Sequence, residues 1–236
     1  MISVSPYQKR RESFLCQLSG KAAIVPSAGL VKHHADCDYP FRQDSDFWYL
    51  TGFDEPDAIA LFLSHKPIGE QFILFVAPKN PRLEVWHGLR CGVDEAVERF
   101  GADISHPIEE FSSLLKEYLG GSEGLVFQVG KNPKIESIVL TIWSNQLDDS
   151  QRIGSAPSAL IPTSSFLDKM RLIKDSWEIE RITEAVHISA QAHEIARQNA
   201  RAGINERNIQ AIIEKYFLDK GTRGPAYGSI VASGDN

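Results

Sequence analysis

Short apolar runs alternate with stretches of helical periodicity along the first two thirds of the chain, and this alternation restricts the possible folds most. Apolar runs of strand length occupy residues 22–25, 58–63, 71–76 and 125–129. Helical patterns occupy residues 6–18, 94–100, 108–119 and 133–147. Strands that alternate with helices predict an α/β domain. The turn residues at 66–69 further predict that the second and third runs form a hairpin or a neighbouring pair of strands.

A different pattern begins after a segment rich in Ser, Pro and Thr at residues 155–165. Asp175, three residues before Glu178, is an acidic variant of the capping box and predicts the start of a helix. Its apolar residues, from Ile179 to Ala196, recur at helical spacing. Asn205 predicts the cap of a second helix, and residues 226–232 read as a strand. Because a turn signal ends this run, we expect the second domain to be incomplete.

Charge and cysteine content exclude several classes of protein. The 25 Lys and Arg against 31 Asp and Glu give a net charge of −6, which weighs against a nucleic-acid-binding protein. No apolar run is long enough to cross a bilayer, so we expect no membrane partner. Three cysteines without a C-x-x-C spacing, together with an N-terminus that lacks the apolar core of a signal peptide, predict a cytoplasmic protein with reduced thiols.

Two polar segments are candidates for chemistry. Residues 33–38, with the sequence HHADCD, contain metal-ligating types. Adjacent side chains converge poorly on one ion, so a loop with capping and hydrogen-bonding roles is favoured over a metal site. Residues 39–53 contain six aromatic residues among Arg42, Gln43 and two aspartates. They read either as an aromatic strand or turn anchored by buried hydrogen bonds of Arg42 and the aspartates, or as a surface for a subunit or ligand.

A resemblance to a known family is carried by longer motifs. The segment YPFRQDSDFWYLTGFDEPDA at residues 39–58 resembles the signature of the N-terminal domain of aminopeptidase P, the Xaa-Pro aminopeptidases. Three further segments resemble the family in the same order, namely EVWHGLR at 84–90, MRLIKDSWEI at 170–179 and AYGSIVASGDN at 226–236. Together the motifs cover nearly the whole chain.

The resemblance implies an α/β fold in two parts. Residues 1–169 would form a creatinase-like N-terminal domain with a mixed sheet and flanking helices. Residues 170–236 would supply the first helices and strand of an incomplete "pita-bread" α+β domain. The family hydrolyses proline-containing peptides with two Mn²⁺ ions held by two Asp, one His and two Glu. We expect all five ligands to lie beyond Asn236, so that this chain holds no catalytic residue, no metal and no activity by itself.

The same resemblance assigns supporting roles to four residues. Tyr227 matches a tyrosine near the metal centre, and Asp36 matches an acid that reaches the active-site cleft. Trp86 matches a tryptophan that helps to close the substrate pocket across a subunit interface. Arg152 is a further match that would pair with Asp36. Because family members assemble through this domain, we expect a homo-dimer or homo-tetramer.

Two alternatives stay open at this stage. A prolidase shares both domains but acts on dipeptides, although the aromatic-Arg-Gln segment favours aminopeptidase P. A stand-alone interaction module without catalysis is the second alternative, and the reading frame that follows Asn236 would distinguish it from a piece of a longer enzyme.

Overall fold

Two compact units make up the chain. The computed structural model describes residues 5–153 and 156–234, without the side chains of residues 150–153. Packing divides the chain into a first unit, Met1–Leu172, and a second unit, Ile173–Asn236. The domain boundary expected from the sequence, between residues 169 and 170, stays a prediction.

The first unit alternates helices and strands, as the sequence predicts. Its elements in chain order are α1 (Pro6–Leu18), β1 (Ala22–Pro26), β2 (Lys32–His34), β3 (Cys37–Asp38), α2 (Ser45–Thr51), β4 (Ile59–Leu63), β5 (Phe72–Val76), α3 (Pro81–His87), α4 (Gly92–Phe100), β6 (Ile104–Pro107), a 3-10 helix (Ile108–Glu110), α5 (Phe111–Leu119), β7 (Leu125–Phe127), α6 (Pro133–Ile153), β8 (Leu160–Ile161) and α7 (Ser164–Leu172).

The described strands form one mixed sheet and one separate hairpin. The sheet has the order β6-β5-β4-β1-β7-β8, and β2 pairs with β3 apart from it. Strands β1, β4 and β5 pair antiparallel, so the neighbouring strands predicted across the turn at 66–69 are confirmed. The pairs β5–β6, β1–β7 and β7–β8 are parallel. The expected mixed sheet with flanking helices is therefore confirmed.

Alternating side chains bury both faces of this sheet. In β4, Ala60 and Phe62 face a core that contains Phe14 of α1 and Leu50 of α2. Ile59, Leu61 and Leu63 of the same strand face the opposite core, which the described residues of α5 and α6 cover. Strands with a period of two and helices on both sides appear in sequence as continuous apolar runs. This explains why β1, β4 and β5 are recognisable without an alternating pattern.

Helix α2 corrects the expectation of a strand or turn in the aromatic segment. The Asp44 side chain caps it by accepting hydrogen bonds from the N–H groups of Asp46 and Phe47, at 2.9 and 3.0 Å. Gly52 ends it in the left-handed conformation, with φ of 66°. A cap residue followed by a glycine seven residues after the first helical position defines a short helix. Aromatic content favours a strand, and here these end signals override it.

The second unit contains α8 (Ser176–Asn199) and α9 (Glu206–Asp219). The capping box of Asp175 and Glu178 and the Asn205 cap are both confirmed. The helical spacing of its apolar residues is confirmed, although Ile179, Ile182 and Val186 are exposed. Ala192 and Ala196 are instead the buried residues of the helix, which packs against α9. Small residues allow the close approach of two helices, and this contact determines which face is covered.

No strand forms at residues 226–232 within the described part of the second unit, so that prediction is wrong. The segment instead contacts α9 through the Ser229 hydroxyl, which donates to Glu214 Oε1 at 2.7 Å. A strand is stabilised by its hydrogen-bonded neighbours, and the described residues 173–234 supply no neighbouring strand. None of the helices formed by the described residues is both long and apolar enough to span a lipid bilayer.

Gly52→Ala should destabilise the first unit by more than the positive φ alone explains. A Cβ at Gly52 would lie 2.7 Å from the Tyr7 ring, so the ring must move, at about 1–3 kcal/mol beyond the backbone strain. Gly69→Ala is the matched control, because Gly69 also has a positive φ but nothing lies within 4 Å of its added Cβ. Urea unfolding measures both variants, and equal losses of about 1–2 kcal/mol would contradict the proposed clash.

Candidate functional site

Gln43 is the buried centre of the aromatic segment. Its Oε1 accepts hydrogen bonds from the N–H groups of Ala28 and Asp44, each at 2.8 Å. Its Nε2 donates to the carbonyls of Phe53 and Glu55, at 3.1 and 2.8 Å. A buried amide that satisfies two donors and two acceptors fixes the chain segments that it joins. Gln43 therefore fixes the segment after β1, the start of α2 and the loop before β4 relative to one another.

An ion network joins the N-terminal end of α2 to two distant segments. Lys131 Nζ lies 3.0 Å from Asp44 Oδ2 and 2.9 Å from Asp46 Oδ2. Arg171 Nη1 lies 2.5 Å from Asp46 Oδ1. Burial by itself would lower the pKa of Lys131, but its hydrogen bonds to Asp46 and Asp44 and the charges of these carboxylates together outweigh burial, so the pKa is raised. The network links the loop before α6 and the end of α7 to α2.

Two buried arginines complement the opposite end of α2. Arg10 Nη1 donates to the Tyr49 carbonyl at 3.4 Å, and Arg11 Nη1 donates to the Leu50 carbonyl at 3.2 Å. Cations are favourable at the C-terminal end of a helix, where carbonyls lack partners within the helix. Burial lowers the pKa of Arg11 to about 10. Tyr49 also donates from its hydroxyl to the Met170 carbonyl at 3.1 Å, so both ends of α2 are tied to α7.

Arg42 differs from its expected role. The sequence interpretation made it a buried anchor of the aromatic segment, but its side chain is exposed and makes no hydrogen bond or ion pair with another described residue. The anchoring is done by Gln43 and the two aspartates. The cations that pair with them, Lys131 and Arg171, come from outside the motif.

Asp36 lies on the turn of the β2–β3 hairpin. The hairpin is exposed, and Ala35 in its turn has a φ of 41°. Lys32 and Asp38 form an ion pair at 2.9 Å across the two strands, while the His33 ring contacts the Tyr39 ring edge-on with centroids 4.6 Å apart. This corrects the expectation of a loop at residues 33–38. The hairpin presents the Asp36 carboxylate to solvent.

Trp86 lies on α3 and is 82% exposed. Three further apolar side chains accompany it on or next to this helix, and each is more than half exposed: Leu83, Val85 and Leu89. We call these four residues the apolar cluster; several exposed apolar side chains in one short segment make it a candidate contact site. Helix α3 is absent from the predicted elements, because seven residues with a polar start carry little periodic signal.

Tyr227 belongs to the second unit and is 77% exposed. The side chain of Arg152 lies outside the described residues, so its pairing with Asp36 stays a prediction. Within the first unit, Asp36 and Trp86 are joined by no hydrogen bond, ion pair or ring contact in the structure as described. Within residues 5–153 and 156–234, no three His, Cys, Asp or Glu side chains are arranged to hold a metal ion.

The sequence contains a signal for one contact that the motifs miss. Arg10 precedes Phe14 and Leu18 by four and eight residues, which places it on the apolar face of α1. A cation on such a face requires buried acceptors, and the carbonyls of α2 supply them. Lys131 and Arg171 give no comparable signal, because their partners are about 85 and 125 residues away.

Comparison with known proteins shows which family this chain belongs to. The family model described as aminopeptidase P, N-terminal domain, matches residues 7–127, just over half of the chain. The chain belongs to the aminopeptidase P family. The model of metallopeptidase family M24 matches residues 180–236 of the second unit. The network around Gln43 therefore belongs to the part of the chain that the aminopeptidase P model covers.

Relatives of the aminopeptidase P family match over the whole length of the chain. The Xaa-Pro aminopeptidase of Escherichia coli is 33% identical over 236 residues, which are 100% of this chain and 54% of that protein. The Xaa-Pro aminopeptidase of Haemophilus influenzae is 35% identical, with 98% of this chain and 51% of that protein covered. The chain thus spans about half the length of the curated relatives that it matches.

Solved aminopeptidase P structures have the same fold. A Pseudomonas aeruginosa aminopeptidase PepP matches with a TM-score of 0.91 and 31% identity over 98% of this chain and 53% of that one. Aminopeptidase P from E. coli with the inhibitor Pro-Leu matches with a TM-score of 0.88 and 31% identity, over 95% of this chain and 52% of that one.

Asp46→Asn should lower the free energy of unfolding of the first unit by about 1–3 kcal/mol. The substitution removes a buried charge that contacts both Lys131 and Arg171. Asp149→Asn is the matched control, because its ion pair with Lys116, at 3.2 Å, is exposed on both sides. The control should change stability by less than about 1 kcal/mol. Equal effects of the two variants in urea unfolding would show that the Asp46 network stabilises the first unit no more than an exposed ion pair does.

Proposed function

We propose that this chain is the N-terminal portion of an Xaa-Pro aminopeptidase, a hydrolase that releases an N-terminal residue when the next residue is proline. The observation that supports it most is the order of the two family matches along one chain, aminopeptidase P first and metallopeptidase M24 second. An N-terminal domain alone would be compatible with many activities. The second match adds the start of a peptidase domain.

Membership in a metallopeptidase family implies a divalent metal in the full-length enzyme. The described residues do not fit such a centre, since they contain no cluster of three potential ligands. We therefore propose that two Mn²⁺ ions are held by two Asp, one His and two Glu outside this chain. Carboxylate-rich ligands suit Mn²⁺.

Supporting roles are proposed for side chains that are accessible in each unit. Asp36 on its hairpin and Trp86 on α3 are exposed in the first unit, as a substrate pocket completed by other residues requires. Tyr227, exposed in the second unit, presents a phenol that can donate to a ligand or substrate. Arg152 as the partner of Asp36 completes the proposal.

The cysteines support a reducing compartment, and we propose the cytoplasm. Cys16 and Cys37 are exposed free thiols, and Cys91 is a buried one. Burial raises the pKa of the Cys91 thiol to about 11, so this side chain stays protonated. Exposed thiols without disulfide partners are characteristic of proteins that remain in a reducing environment.

Self-association is proposed through the apolar cluster on α3. Leu83, Val85, Trp86 and Leu89 are exposed by 54, 79, 82 and 88%. Tryptophan is the residue that most often dominates the energy of a protein interface. A second copy of the chain would remove this cluster from water, in a homo-dimer or homo-tetramer.

The 236-residue chain with Mn²⁺ should not hydrolyse an X-Pro tripeptide, because the proposed metal ligands lie outside it. A protein extended along the downstream reading frame should hydrolyse the tripeptide and lose activity on treatment with a chelator. Release of the N-terminal residue, followed by chromatography, measures both. Turnover by the short chain would contradict the proposed position of the ligands. Activity of the extended protein on dipeptides alone would indicate a prolidase, and a stop codon directly after Asn236 would indicate an interaction module.

Trp86→Ala should weaken self-association by about 30-fold or more, as expected for a central interface residue. The wild-type chain should be a dimer or tetramer at tens of micromolar in sedimentation or light scattering. Ile68→Ser is the matched control, because Ile68 is 94% exposed in the β4–β5 turn and lies outside the cluster. A monomeric wild type, or an equal effect of both variants, would contradict the proposed surface.

A further inference from the structure

Residues 80–90 form an exposed segment of the first unit, which we name the flap. It begins with Asn80, which caps α3, and ends just before Cys91, which is buried. No residue of α3 is buried. The apolar side chains of the flap, including Trp86, are mostly exposed, so their packing against the other described residues contributes little to its position.

The partly buried residues of the flap are both charged. Glu84 and Arg90 have intermediate exposure, whereas the other nine residues of this fully described segment are exposed. Glu84 Oε1 accepts a hydrogen bond from the Arg90 N–H at 3.2 Å, which closes the base of the flap on itself. The partly buried base of the flap is therefore polar.

Glu55, in the loop before β4, contacts the end of the flap. Its Oε1 accepts a hydrogen bond from the Cys91 N–H at 2.8 Å, and its Oε2 lies 3.8 Å from Arg90 Nη1. The Glu55 backbone is itself fixed, since its carbonyl accepts the hydrogen bond from buried Gln43. A rigidly placed carboxylate thus contacts the last residue of the flap and the first residue after it.

One oxygen of this carboxylate lacks a hydrogen bond. Glu55 Oε2 is buried and has no hydrogen-bond donor among the described residues, while the Arg90 guanidinium is the cation beside it. An unsatisfied buried acceptor in a native fold calls for a functional explanation. We propose that Glu55 is a positioning residue that holds the flap, and with it Trp86, to the first unit through Arg90 and Cys91. The proposal goes beyond the peptidase assignment, and its tests require no catalysis.

Protonation of Glu55 should affect the flap and the whole unit in opposite directions. The pKa of Glu55 is raised, and burial is the largest cause. The hydrogen bond from the Cys91 N–H and the charges of Arg90 and Arg99 lower the pKa, but they do not cancel the effect of burial. The charge of Glu95 on α4 raises it further. Glu84 of the flap and Lys79, which pairs with Glu95 at 2.5 Å, complete the charged surroundings. Because the folded-state pKa exceeds the unfolded value, the free energy of unfolding rises as the pH falls through it. The neutral carboxyl, however, attracts Arg90 less.

Amide hydrogen exchange of the folded chain tests this role directly. In Glu55→Ala, the Cys91 amide and the amides of the flap should exchange about 10-fold faster than in the wild type, which is the loss of one charge-assisted hydrogen bond. In Glu55→Gln the increase should be smaller, because an amide oxygen still accepts from the Cys91 N–H. Amides of β4 and β5 should keep their exchange rates. Glu98→Gln is the control, since Glu98 is an exposed carboxylate on α4.

Two further measurements separate positioning from general destabilisation. After correction for intrinsic exchange, wild-type flap protection should fall between pH 7 and pH 4.5, whereas in Glu55→Gln it should stay constant. From the flap side, Arg90→Gln should loosen the flap and Arg90→Lys should restore much of its protection, because a lysine keeps the charge. Unchanged flap exchange in Glu55→Ala, equal acceleration in β4 and β5, or a flat wild-type pH profile would overturn the proposal.

Discussion

Four hydrogen bonds to one side-chain amide organise the first unit. Gln43 joins the segment after β1, the start of α2 and the loop that leads to β4, and it does so from a buried position. Each of these bonds is to a backbone group, so removal of the amide would take a hydrogen-bond partner from four backbone groups at once. The position of the Glu55 backbone, and hence of its carboxylate beside the flap, depends on the same amide.

Helix α2 is short, and charged side chains at both of its ends stabilise it. Seven residues provide few internal hydrogen bonds, so an isolated helix of this size would not persist in water. Anionic Asp44 and Asp46 occupy its N-terminal end, and the guanidinium groups of Arg10 and Arg11 contact its last carbonyls. This arrangement matches the helix dipole at both ends. Phe47 and Tyr49 of this helix are thereby buried in the core on one side of the sheet.

Local signals in the sequence identify some elements and not others, for physical reasons. Strands β1, β4 and β5 are predictable because burial on both faces leaves uninterrupted apolar runs. The caps at Asp175 and Asn205 are predictable because they act over three residues. The strand expected at 226–232 fails because a strand depends on hydrogen-bonded neighbours, which the described residues 173–234 do not supply. The exposed face of α8 and the network of Asp46 with Arg171 likewise depend on distant segments, and motifs alone do not contain that information. The resemblance to aminopeptidase P identified the family, whereas the flap and its contacts required coordinates.

The position of β1 in the sheet has a consequence for synthesis on the ribosome. Its antiparallel partner β4 follows within about forty residues, but its parallel partner β7 begins only at Leu125. The antiparallel strands β1, β4 and β5 are therefore complete while one edge of β1 still has unpaired N–H and carbonyl groups. Unpaired edges of apolar strands are sites of aggregation during folding. The interval before β7 emerges is thus a period in which an unpaired edge of the nascent chain is open to aggregation.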